Sequence, residues 1–76
     1  MSFHLQLYPV GQTFPCDDEA HARRAFAALP RRERGSVSWE AEILDEEGDI
    51  IDGKPIGNME GVDLVERAIR DTKGAA

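Results

Sequence analysis

Ser36-Val37-Ser38-Trp39-Glu40-Ala41-Glu42-Ile43-Leu44 alternates apolar and polar side chains almost without interruption. Val37, Trp39, Ala41 and Ile43 fall on one face; Ser38, Glu40 and Glu42 fall on the other. A period of two is the signature of a strand with one face buried and one face wet. The next residues set the topology. Asp45-Glu46-Glu47-Gly48 is a short polar run, and its glycine can take the positive φ that hairpin loops need. The chain then returns as a second strand from Asp49 to Ile56, carrying Ile50 and Ile51. Gly53 and Pro55 weaken that strand and assign it to a sheet edge, where a missing N–H does no harm.

Upstream, Phe3, Leu5 and Leu7 alternate with His4, Gln6 and Tyr8, which predicts another strand ended by Pro9 and Gly11. Gln12 to Cys16 reads as a connector. A helix follows, with Asp17 as N-cap and with Asp18 and Glu19 placing negative charge on its first turn. Ala22, Ala25, Phe26 and Leu29 form its apolar stripe, Arg23 and Arg24 lie off the stripe, and Pro30 stops it. Arg31-Arg32-Glu33-Arg34-Gly35 is a polar turn into the alternating strand. Downstream, Gly57-Asn58 opens a last helix with Asn58 as N-cap. Met59, Val62, Val65 and Ile69 form its stripe, Leu64 and Ala68 widen it, and Gly74 fits the position just past its end. Gly61 inside this helix costs about 1 kcal/mol relative to alanine.

The order β-α-β-β-α predicts an α+β fold: a three-stranded, mostly antiparallel sheet with two helices packed on one face. The expected core is Phe3, Leu5, Leu7, Phe26, Leu29, Val37, Trp39, Ile43, Ile50, Val62, Val65 and Ile69. The other sheet face, with His4, Gln6, Glu40 and Glu42, is expected to be wet.

With 76 residues the chain has room for one small domain, residues 1–76, with a modest core. Cys16 is the single cysteine, so no intrachain disulfide forms, and a cytoplasmic location is expected. Residues 1–10 lack the basic start of a signal peptide, and no apolar run approaches the ~20 residues that span a bilayer. One cysteine with His4 and His21 is too sparse a set for a structural zinc site. No cofactor is expected either, because phosphate-binding glycine loops and a Gly-x-Ser-x-Gly elbow are missing.

Fifteen acidic residues against nine basic ones give a net charge of −6. The charge is lopsided. Residues 40–66 hold ten acids against Lys54 alone, a net −9, whereas residues 17–34 come to +1. Direct binding to nucleic acid is therefore not expected.

Glu40, Glu42, Asp45, Glu46, Glu47, Asp49 and Asp52 make the hairpin the densest chemical feature. A calcium loop counted from Asp45 fails, because its sixth and twelfth positions are Ile50 and Ile56 rather than Gly and Glu. Paired-carboxylate catalysis needs a pocket that so short a chain has little room to build. Two uses remain open. The acids can keep a solvated edge soluble and guarded. They can also form a negative surface for a larger protein with a basic surface, including one that binds nucleic acid, since dense carboxylates imitate phosphate spacing.

Cys16 precedes a helix N-terminus with His21 nearby, but Asp17, Asp18 and Glu19 repel a thiolate, so a packing role is the simpler reading. Arg23, Arg24, Arg31, Arg32 and Arg34 read as surface salt bridging and a solvated turn; alternatively they contact an acidic partner, including the hairpin of a second copy. Trp39 is assigned to the core, while Tyr8 on the wet face is a contact candidate. The expectation is thus a non-enzymatic interaction module, a small acidic regulator or inhibitor that binds a larger protein through the acidic hairpin or an exposed sheet edge. The alternatives are a self-associating accessory domain, such as a homodimer, and a small enzyme using Cys16 or a carboxylate with His21 or His4 as base.

Overall fold

The computed structural model describes residues 3–8, 10–30, 39–56 and 61–74. The elements are β1 (His4–Tyr8), β2 (Gln12–Pro15), α1 (Glu19–Ala28), β3 (Trp39–Leu44), β4 (Ile50–Ile56) and α2 (Gly61–Thr72). The α+β class holds, but the sheet has four strands rather than three. They run antiparallel in the order β2-β1-β3-β4. The added strand is the segment read as a connector. Its one strong apolar residue, Phe14, lies opposite Leu5 and is buried with it. Gly11, at φ +80°, turns the chain back, and its N–H donates to the Leu7 carbonyl at 2.7 Å.

The core forms where the apolar sheet face meets the two helices. Leu5, Leu7, Phe14, Ala41, Ile43 and Ile56 are buried against Ala22, Ala25, Leu29, Val65 and Ala68. Phe3, Phe26, Trp39, Val62 and Ile69 pack around them, half-buried. Val37, Asn58 and Met59 lie outside the described residues.

Ile50 departs from the expected core, being 57% exposed. The cause is a register shift between Ile43 and Leu44: Ile43 faces Asp52, Leu44 faces Ile50, and Ile51 is left without a cross-strand partner. Such a bulge inverts the alternation of the residues beyond it. Ile56, Lys54 and Asp52 share the helix-side face with Ile43, whereas Ile50 joins Leu44 on the opposite one. Leu44 is buried as well, outside the main core cluster.

Helix α1 begins one residue later than the sequence suggests. Asp18, in extended backbone, is the N-cap, and its Oδ1 accepts the His21 N–H at 2.8 Å. Asp17 is freed for another role, because its own N–H donates to His21 Nδ1 at 2.9 Å. His21 is 1% exposed, and its Nε2 donates to the Ile69 carbonyl of α2 at 2.8 Å. Arg24, expected on the surface, instead turns toward α2 and donates through Nη2 to the Thr72 carbonyl at 3.1 Å. Ile69 and Thr72 belong to the last turn of α2, where helical carbonyls have no partner within the helix. Two side chains of α1 therefore cap the C-terminus of α2. Arg23 behaves as expected and pairs with Glu19 at 2.8 Å on the surface. Arg31, Arg32 and Arg34 lie outside the described residues. No helix among the described residues is long and apolar enough to cross a membrane.

Candidate interaction surface

The hairpin acids do not form one patch; the strand geometry divides them. Glu40 and Glu42 lie in β3 on the sheet face turned away from the helices, half-buried. Glu42 is opposite Gln6, whose Nε2 donates to its Oε1 at 2.9 Å. A neutral amide orients that carboxylate without neutralising it. Asp52 stands on the other side of the sheet with Ile43, exposed, and its Oδ1 accepts the Gly53 N–H at 2.8 Å.

The remaining four acids belong to the β3–β4 loop. Asp45 is its organiser. Its Oδ1 accepts the N–H groups of Glu47 and Asp49, both at 2.9 Å, while its backbone bonds to Asp49 and Gly48. An aspartate that satisfies loop N–H groups in this way replaces a run of backbone hydrogen bonds. Gly48 takes the expected positive φ, +86°. Glu46, Glu47 and Asp49 are exposed around this frame. Asp45 thus holds the loop, and the other three present charge.

Register then defines the surface around Glu40 and Glu42. One cross-strand row is Pro15, His4, Leu44 and Ile50; the next is Thr13, Gln6, Glu42 and Gly53; the third is Tyr8, Glu40 and Pro55. None of these residues is a lysine or arginine. Tyr8 is 58% exposed, as its place on the wet face suggested.

Both sheet edges are blunted. The Cys16 N–H donates to the Phe3 carbonyl, and bonded pairs alternate along an antiparallel ladder, so Phe14 points into the ladder while Thr13 and Pro15 point outward. The same alternation carried across the sheet turns Gly53 and Pro55 outward from β4. Each edge therefore has a proline where an outward N–H would otherwise stand. On β4 the Gly53 N–H is taken by Asp52, and the bulge at Ile51 interrupts the rest. These are the usual devices against strand addition.

The thiol and imidazole sites point elsewhere. Cys16 is buried, and burial, with Asp17 and Asp18 adding to it, pushes its thiol up to about 11. It is a neutral thiol at neutral pH. Both ring nitrogens of His21 are engaged, by the Asp17 N–H and the Ile69 carbonyl, and His4 lies on the far face of the sheet. Sequence reasoning missed His21 as a buried residue, although its spacing to Ala25 at i+4 places it beside the apolar stripe. No group of three His, Cys, Asp or Glu among the described residues is arranged to hold a metal ion. A shallow groove of about 120 Å³ between Leu29, Leu64 and Ala68 is smaller than small-molecule sites, which run from ~300 Å³ upward. The chain matches no protein family, no curated protein and no solved structure.

Proposed function

We propose that the chain is a non-enzymatic interaction module, a small acidic regulator or inhibitor that binds a larger protein with a basic surface through the β3–β4 hairpin. The observation that carries this reading is the loop frame around Asp45, which holds Glu46, Glu47 and Asp49 exposed in a defined arrangement. Carboxylates held in place lose less conformational freedom on binding than carboxylates on a loose loop. Exposed Ile50 and Ile51 follow directly, so charge and apolar surface adjoin, as at the centre and rim of protein interfaces.

The test is affinity capture from lysate, eluted stepwise with salt, for the wild-type chain and for a triple variant, Glu46→Ser, Glu47→Ser and Asp49→Ser. A dominant partner released by moderate salt and lost in the folded triple variant supports the reading. Equal capture by both chains removes the hairpin from it. Competition by a DNA oligonucleotide identifies a nucleic-acid-binding partner and with it phosphate mimicry.

A further inference from the structure

We infer that Asp52–Gly53 is a site of spontaneous covalent modification, at which Asp52 converts to isoaspartate in the folded chain. The site stands apart from the proposed interaction function and does not depend on it.

Asp52–Gly53 is the one Asp-Gly pair in the sequence. The neighbour matters because the reaction closes a ring between the aspartate carboxyl and the next backbone nitrogen, and a side chain on that next residue crowds the ring. Asp45, Asp49 and Asp63 precede Glu46, Ile50 and Leu64, which all carry one. A strand ordinarily protects an Asp-Gly pair by committing the glycine N–H to a cross-strand carbonyl. Strand β4 does not give that protection. Bonded pairs alternate along the antiparallel ladder, so Ile43–Asp52 and Ala41–Lys54 are bonded and the Gly53 N–H between them turns away from β3. That N–H donates instead to Asp52 Oδ1 at 2.8 Å. The hydrogen bond keeps the nitrogen beside the carboxyl carbon it would attack, the proximity on which intramolecular reactions draw. Asp52 is exposed, so water and protons reach its carboxyl. Turning the Asp52–Gly53 peptide plane toward the ring changes ψ of Asp52 and φ of Gly53 together, and glycine accepts either sign of φ. The turn costs one ladder bond, from Ile43, next to the existing register shift.

The chemistry needs only water. With the carboxyl protonated, the Gly53 nitrogen bonds to Cγ of Asp52. The carboxyl hydroxyl and the amide hydrogen depart together as one water, leaving a cyclic imide. A second water then opens the ring. Addition at Cγ restores aspartate; addition at the main-chain carbonyl breaks the original peptide bond and leaves the chain running through Cγ. No mass is gained or lost and nothing is oxidised or reduced. The product inserts one methylene into the backbone of β4 between the register shift and Pro55. The Ile43–Asp52 pair is lost, and the Gly53 N–H loses the carboxylate that now occupies it.

The experiment incubates the full folded chain in ¹⁸O-labelled water at mildly acidic pH. The expected result is label in the peptide that contains residue 52, electron-transfer fragments that place an isoaspartyl backbone there, and methylation of the aged chain by an isoaspartyl carboxyl methyltransferase. A free peptide of residues 49–56 sets the unprotected rate, and the folded chain is expected to react within about tenfold of it. Gly53→Ala should slow the reaction by about tenfold. That variant keeps the fold, because its Cβ would meet the Ala41 carbonyl oxygen at 3.5 Å and Glu42 Cγ at 3.6 Å, which are ordinary contacts. Asp52→Glu keeps the charge but must close a larger ring, and should stay unmodified. A folded chain slower than the peptide by more than that margin overturns the inference, because the strand then protects the pair. Isoaspartate at Asp45 or Asp49 as abundant as at Asp52, or an unchanged rate in Gly53→Ala, overturns it too.

Discussion

The ring of Trp39 fills the space that a side chain at residue 61 would need. A Cβ built on Gly61 would lie 2.6 Å from Trp39 Cε3 and 3.0 Å from Cζ3. The first described turn of α2 can approach β3 this closely because glycine stands there. By propensity alone, Gly61→Ala would stabilise the helix by up to about 1 kcal/mol. Overpacking against a rigid, half-buried indole costs about 1–3 kcal/mol and wins. Gly61→Ala is expected to lower stability in urea unfolding, and adding Trp39→Leu to it should restore part of the loss. A stabilised single variant would disprove this packing.

His21 and Arg24 give a second expectation. His21→Phe fills similar space but removes the acceptor of the Asp17 N–H and leaves the Ile69 carbonyl only its 3.5 Å contact with Thr72 Oγ1. Both lost bonds are part-buried, so the variant should lose about 1–3 kcal/mol. Arg24→Ala removes one bond to a helix end and should cost less. In the wild type, ¹⁵N shifts of the imidazole should report a proton on Nε2 and a lone pair on Nδ1, as the donors and acceptors require.

Cys16 sets a pH dependence at the alkaline end. Its thiol is raised from 9.0 to about 11, so folded and unfolded chains both carry the neutral thiol below pH 9. Above that, the unfolded chain ionises first. The stability linked to this group is therefore full below pH 9 and is lost as pH rises toward 11. At 1.36 kcal/mol per unit, the loss is about 2–3 kcal/mol. The difference in stability between wild type and Cys16→Ala, followed from pH 8 to 11, should shrink by that amount. Alkylation of Cys16 in the folded chain at pH 7.5 should be far slower than in urea.

Among the loop acids, Asp45 should separate from its neighbours. Asp45→Ala strips the acceptor from two N–H groups and should cost about 1–2 kcal/mol. Glu46→Ser and Glu47→Ser should leave the melting temperature within a degree or two. A loop variant that mixes Asp45 with the others would confuse folding with binding.

The guarded edge makes the last prediction. Pro55→Val with Asp52→Ala restores one outward N–H on β4 and releases another. Sedimentation should show concentration-dependent self-association in the double variant and less in the wild type. No difference would mean that these residues do not protect the edge.

Local periodicity carried much of the fold. The alternation of residues 39–44, the glycine of the 45–48 loop and the stripes of both helices are patterns that a strand or helix imposes on its own residues, so they can be read without the rest of the chain. Chemistry was legible in the same way: the density of acids between Glu40 and Asp52 is a property of composition. What depended on distant partners was not legible. Gln12–Pro15 has one apolar residue and a proline, and becomes a strand because β1 offers it a ladder. One bulge at Ile51 moved Ile50 from the core face to the open face, since alternation has no memory beyond an inserted residue. His21 is buried because a carbonyl 48 residues away accepts its proton. The division of the acids into a loop frame, an exposed tip and a sheet face is likewise a matter of register, which cross-strand pairing decides and sequence alone does not.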